Sequence, residues 1–298
     1  MRSAFRISDP RVRSLALILA MTAGSLSPAA AALAPALRPL LMLMLFLSFL
    51  SMRFRWADAR WSHAAIPLVG VALGVSGYFL LRPISESAAF AALLIGITPT
   101  ATAAPVISRM LGAEGAYATF AVLTGNLFAA WAIPVVLARI GAGQVPEASD
   151  LLRPVLFTLL VPLLAARLLR RLAPRPVHRI TSWKLAPFGL WLGVLFLTSA
   201  SAIAPALSER PLRALLPVFL TAAALCVVQF SLGRLLGGAR FRIEAGQSLG
   251  QKNTMLTVWI ALQFLWPEAA LGPALYILCH NLANAWQISR HRPDPDAA

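Results

Sequence analysis

The sequence predicts an all-α integral membrane protein with ten transmembrane helices, arranged as two inverted five-helix repeats. Three observations carry this expectation. The composition is apolar and broken into runs of span length, the arginines cluster on alternate sides of those runs, and one motif recurs at an offset of 155 residues.

Of 298 residues, 59% are apolar and 12% are charged, and mean hydropathy is +0.74. A soluble domain carries about 25% charged residues. Half that share, with long apolar runs, belongs in a bilayer. A membrane helix takes about 20 apolar residues, so the chain has room for ten spans and short loops. The net charge of +15 does not describe a nucleic-acid surface. Its arginines sit between apolar runs rather than along one face. They read as cytoplasmic loop anchors that also touch anionic lipid. Cys226 and Cys279 lie inside apolar runs without metal-ligand spacing and read as unpaired thiols.

The spans follow in order. The first covers residues 13–27, where Arg11 and Arg13 precede L-A-L-I-L-A-M-T-A-G. The same residues have the pattern of a secretory signal peptide. A span is expected because topology and repeat both need one. The others are expected at 33–52, 63–81, 87–110, 114–138, 151–169, 183–204, 212–236, 244–266 and 268–289, each bounded by charge, Pro or Gly. All are helices, because a lipid-facing backbone must satisfy its own polar groups.

Charge tests the count. With both termini cytoplasmic, 19 of the 26 basic residues fall in inside segments, including Arg2, Arg6, Lys184 and Arg292. Six, Arg38, Arg82, Arg139, Arg153, Arg210 and Arg213, fall outside, and Lys252 lies within span nine. This is the positive-inside pattern. It places the chain as a multi-pass protein with both termini cytoplasmic, and the compact, bacterial look of the sequence gives the cell inner membrane as the expected location.

The repeat sets T-G-N-L-F-A-A-W-A-I, residues 124–133, against C-H-N-L-A-N-A-W-Q-I, residues 279–288. Asn126 matches Asn281, and Trp131 matches Trp286. Beside it, Gly96 and Thr100 match Gly250 and Thr254 at an offset of 154. Residues 1–143 and 144–298 thus form two halves of five spans. An odd number inverts the second half, as in secondary transporters.

Spans four and nine are expected to be interrupted. Between Thr98 and Pro105 stand two prolines, Pro99 and Pro105, with Thr98, Thr100 and Thr102. Each proline lacks a donor and crowds the preceding turn. In span nine, Ser248 to Thr254 is polar, with Gly250, Gln251, Lys252 and Asn253. Such a run in lipid must line protein or a cavity. Asn253 or Thr254 suits an N-cap for the apolar half that follows. A shorter span starting at Asn253, with the polar run in a loop, is the other reading. Half-helix N-termini favour an anion, and unwound carbonyls and hydroxyls a small cation.

At these residues the sequence resembles the bile acid:sodium symporter family. The resemblance rests on T-P-T-A-T-A-A-P-V-I at 98–107, S-L-G-Q-K-N-T at 248–254 and C-H-N-L-A-N at 279–284. It implies ten spans in core and panel domains, with broken spans four and nine crossing at mid-membrane. It implies carriage of a small organic anion. It makes Thr102, Asn253, Thr254, His280 and Asn281 candidates for substrate contact, and Thr98 and Thr100 join them as hydroxyls of the first interruption.

The departures concern the cation. The family's Ser-Asn sodium ligands are Ala104 and Pro105, its span-nine glutamate is Ser248, and its glutamine is Lys252. Two hydroxyl ligands in span five are Ala118 and Val122. Hard cations need oxygen ligands and usually a carboxylate. Lys252, with Ser248 and Gln251 beside it, is therefore expected to supply the positive charge covalently. Transport would then be sodium-independent, either proton-coupled through Lys252 or passive. A sodium-coupled symporter of the same family, or a channel or sensor on the same fold, are the alternatives. No cofactor, resident metal or nucleic acid is expected. The expected partners are the anion and membrane lipid, and the chain is expected to be a monomer or weak oligomer.

An enzyme is not expected. The eleven acids lie in loops or at span ends, and no H-E-x-x-H or G-x-S-x-G motif is present. Gln229, Gln263 and Asn284 read as interhelical hydrogen-bond partners. Trp131 and Trp286 are expected to pack between the halves, and Trp56, Trp61 and Trp266 to anchor at the interface. His63, His178 and His291 sit near span ends.

Overall fold

The computed structural model describes residues 10–140, 147–181, 186–209 and 211–290. Arg2, Arg6, Lys184, Arg210, His291 and Arg292 lie outside the described residues.

Helices fill nearly all of the described chain. α1 covers Pro10–Ser25; a 3-10 stretch, Pro28–Ala36, leads into α2 at Leu37–Ser51, and α3 covers Ser62–Leu81. α4 covers Glu86–Ile97, α5 Ala104–Met110, α6 Gly115–Ile140, α7 Ala148–Leu172 and α8 Pro174–Thr181. α9, Ala186–Thr198, passes through a π-helical turn, Ser199–Ile203, into α10, Ala204–Glu209. α11 is Leu212–Leu236, α12 Arg242–Gly250 and α13 Thr254–Phe264; after a 3-10 turn, α14 covers Leu271–Arg290. Among the described residues, six helical stretches are long and apolar enough to cross a membrane: Pro28–Ser51, Ser62–Leu81, Gly115–Ile140, Ala148–Leu172, Phe188–Ser208 and Arg213–Leu236. This is an all-α chain with the helices a bilayer requires.

The helices pack in two groups, joined to each other where α6 packs on α7 and α1 on α14. In the first, α2 packs on α7 and α9, and α1 packs on α9. In the second, α3 packs on α4 and α6, and α11 on α12 and α14. Pairings recur along the chain. α3 on α4 is matched by α11 on α12, α5 on α6 by α13 on α14, and α3 on α6 by α11 on α14.

Close approach between α3 and α4 fixes the site's geometry. A Cβ on Gly96 would stand 2.3 Å from the Gly74 Cα. Only glycine lets these backbones touch, and the contact presses the C-terminal end of α4 against α3. At its other end, α4 starts at a cap. Ser85 has extended backbone, its hydroxyl accepts the Ala88 N–H at 3.3 Å, and Glu86 lies in the first turn.

Two expectations about side chains are corrected. Trp131 and Trp286 do not pack between halves; they are 59% and 53% exposed, on the outer faces of α6 and α14. Both rings point away from the helices that α6 and α14 pack on. Gln229 and Asn284 are buried, but neither amide makes a hydrogen bond.

Candidate functional site

α4 stops at Ile97 because Thr98 precedes a proline. The residue before proline is pushed to extended backbone, and Thr98 adopts φ −63° and ψ 130°. Pro105 sits in the first turn of α5, where a missing N–H leaves nothing unsatisfied. The two prolines therefore act differently: Pro99 ends one half-helix and Pro105 starts the next.

In the second half, α12 ends at Gly250, and Gln251 turns to φ −94° and ψ 111°. Gly250 is required by packing, since a Cβ there would lie 2.4 Å from the Phe230 ring. Asn253 occupies the N-cap position of α13, but its side chain makes no capping bond. The N–H groups of the first turn of α13 thus have no side-chain cap.

The two interruptions meet. The Ala101 N–H donates to the Gln251 carbonyl at 2.8 Å, and the Asn253 N–H to the Pro99 carbonyl at 2.8 Å. Thr100 and Lys252 face each other as an isolated antiparallel bridge. Thr98, Thr100, Gln251, Lys252, Asn253 and Thr254 are all buried there.

An interrupted helix leaves its last carbonyls without partners in the helix. The two ends solve this differently. At α4, the Lys252 ammonium donates to the Thr98 carbonyl at 3.0 Å and reaches the Gly96 carbonyl at 3.5 Å. The charge lies at the negative end of the α4 dipole. At α12, the Thr100 hydroxyl donates to the Ser248 carbonyl at 2.6 Å and the Tyr276 hydroxyl to the Gly250 carbonyl at 2.7 Å. One end takes the lysine side-chain nitrogen and the other two neutral hydroxyls. Beside Lys252 lies a cavity of about 10 Å³ lined by Gly96, Thr98, Thr100 and Gly125, room for about one water.

Several candidate side chains are already engaged. Thr98 Oγ1 donates to the Leu94 carbonyl and lies 2.9 Å from Thr257 Oγ1. Ser248 Oγ donates to the Glu244 carbonyl at 2.7 Å, back into its own helix. By contrast, the Gln251 Oε1 and Asn253 Nδ2 atoms are buried and make no hydrogen bond. Thr102 is half-buried in the first interruption.

The structure thus gathers Thr98, Thr100, Ser248, Gly250, Gln251, Lys252, Asn253 and Thr254 at one junction. His280 is near it only through Tyr276, whose ring it meets edge-on at 5.4 Å. Asn281 is elsewhere. Its Nδ2 donates to the Ile277 carbonyl at 2.8 Å, and it lines a crevice of about 20 Å³ between α1 and α14 with Leu17 and Met21. Its repeat partner, Asn126, does reach the junction, donating to the Thr100 carbonyl at 3.3 Å and the Val122 carbonyl at 2.7 Å. The repeat itself was the signal for Asn126. Tyr276 and Thr257 carried no such signal, since a tyrosine or threonine in an apolar helix is common.

Among the described residues, no group of three or more His, Cys, Asp and Glu could hold a metal ion. No protein-family model matches the chain, and no curated protein matches it.

Proposed function

We propose that the chain is a secondary transporter of a small organic anion, with Lys252 as a tethered cation where its look-alikes bind sodium. In this reading the two halves, residues 1–143 and 144–298, are inverted five-helix repeats in the cell inner membrane. Both termini are cytoplasmic. The group of α3, α4, α6, α11, α12 and α14 is the core, and α1, α2, α7 and α9 form the panel. Movement of one group against the other gives alternating access. The recurrence of helix pairings between the halves supports this arrangement.

One observation carries the reading. Two interrupted helices, one from each half, bond to each other through backbone groups, and the Lys252 ammonium caps the carbonyl end of α4. Carbonyl ends attract a cation, and here the cation is covalent. The uncapped N-terminus of α13 then offers its N–H groups to an anion. With the ammonium in place, sodium gains neither a vacant charge site nor a carboxylate.

Uptake of radiolabelled carboxylates into proteoliposomes tests this. The rate is expected to be the same with sodium or choline outside. Lys252→Met is expected to lower it about tenfold or more, as loss of a charged hydrogen bond predicts. Strong sodium dependence in the unaltered protein overturns the tethered-cation reading.

A further inference from the structure

We propose that Arg38 is an anion-binding residue on the outer side of the transport path, and that it closes that path by lying against Trp259. Its meaning rests on the transporter reading; its geometry does not. Arg38 stands in the first turn of α2. Its guanidinium carbon lies 5.3 Å from the ring centre of Trp259 on α13 and 5.3 Å from that of Phe157 on α7. Its Nε donates to the Thr158 hydroxyl at 3.1 Å, and that hydroxyl donates to the Pro154 carbonyl at 2.8 Å. One side chain therefore joins two helices of the first group to an interrupted helix of the second.

An arginine near the end of a span usually turns outward to water or headgroups. This one points inward, onto a tryptophan that is 4% exposed. A guanidinium is a planar fork of five N–H donors that fits a carboxylate with two parallel bonds. The Nε bond to Thr158 is the one hydrogen bond Arg38 makes among the described residues, and no acidic side chain pairs with it there. The two terminal nitrogens are left for a ligand. Trp259 is buried and gives one side of the fork a poorly hydrated setting, which strengthens binding of an anion, while Phe157, 52% exposed, leaves the other side open to it. Trp259 lies five residues into α13, roughly 8 Å along the helix from its uncapped N-terminus. A carboxylate that leaves Arg38 thus has a second anion-favouring group within its own length. The ligand class is an organic carboxylate with an apolar body.

The same contact is a closure. Thr198 Oγ1 on α9 meets the Met255 sulfur on α13 at 3.6 Å, so α13 is fastened to the first group at two places. An anion that takes the fork pulls the guanidinium off Trp259 and frees this seam.

The test uses Met255→Cys in a chain whose native thiols are removed by Cys226→Ala and Cys279→Ala. Right-side-out phosphatidylcholine vesicles are exposed outside to anionic sulfonatoethyl or cationic trimethylammonioethyl methanethiosulfonate. With Arg38 present, the anionic reagent is expected to react about tenfold faster than the cationic one, as a unit charge nearby predicts. Arg38→Gln should abolish that preference and raise both rates; Arg38→Lys should keep the preference. If Arg38→Gln does not fold, Trp259→Phe, which keeps a ring, should raise both rates at an unchanged ratio. A ratio that Arg38→Gln leaves intact, or no reaction in any variant, overturns the proposal. Phosphatidylglycerol makes the surface negative and shifts the reagent ratio in every variant alike; a larger shift with Arg38 present than with Arg38→Gln assigns the fork to lipid phosphate and overturns the proposal too. Charge preference without carboxylate flux sinks the transporter reading and leaves the anion site; flux without preference does the reverse.

Discussion

Lys252 differs from an ordinary membrane lysine in where its charge ends. Its ammonium is buried and donates to two backbone carbonyls, not to headgroups. A buried charge survives only when such partners replace water. The space it occupies is set by a glycine on the neighbouring helix. A Cβ added at Gly70 would stand 2.9 Å from the Gly96 carbonyl oxygen and 3.1 Å from the Lys252 ammonium. Backbone cannot yield there, so Gly70→Ala is expected to destabilise the protein by about 1–3 kcal/mol, as overpacking does. It should also displace the ammonium from its carbonyls. Gly193→Ala is the control, because nothing lies within 4 Å of the added carbon. Thermal unfolding in detergent should show a lower midpoint for Gly70→Ala and an unchanged or slightly higher one for Gly193→Ala. Equal midpoints would show that α3 and α4 are not in contact here. The sequence made Lys252 conspicuous as a charge inside a span. It did not make Gly70 conspicuous, since its role comes from a crossing between helices.

The interruptions show what local chemistry announces and what it hides. Pro99 after Thr98, and a seven-residue polar run from Ser248 to Thr254, are visible because each breaks a rule for a lipid-exposed helix. How the broken ends are satisfied depends on partners 26 to 156 residues away, which no local pattern specifies. The π-helical turn at Ser199–Ile203 was equally hidden, because S-A-S-A-I holds no breaker. The α12 end depends on two hydroxyls, from Thr100 and Tyr276, on the Ser248 and Gly250 carbonyls of its last turn. Thr100→Val and Tyr276→Phe should each cost about 1–3 kcal/mol, the price of a buried unsatisfied acceptor. Because both support one helix end, their effects should not add; the double variant should differ from the sum by about 0.5 kcal/mol or more. Strict additivity in thermal unfolding would mean that the two bonds act on separate elements.

At the scale of the molecule, the legible part was the set of apolar runs. Six of them are long helical stretches at or near the expected positions. α14 fails that simple test because His280, Asn281, Asn284 and Gln287 dilute it, although its apolar run and the repeat both marked it as a span. The arrangement of the groups was not legible, because packing partners are chosen by shape rather than by hydropathy. That arrangement is unequal across the seam. α13 packs on α2 and α9 of the first group, whereas its counterpart α5 has no comparable packing on either among the described residues. Val106, on α5, is 42% exposed. In the proposed topology, with both termini cytoplasmic, α13 lies toward the outside and α5 toward the cytoplasm, so the unpacked side of the seam faces inward. Val106→Cys, in the chain lacking Cys226 and Cys279, should therefore react with a membrane-impermeant maleimide in inside-out vesicles. It should stay unreacted in right-side-out ones. Locking α13 to the first group by a Thr198→Cys/Met255→Cys cross-link should preserve that labelling while stopping uptake, because the path can then open to one side only. Labelling from the outside would reverse the assigned orientation, and uptake that continues through the cross-link would rule out this seam as the moving boundary.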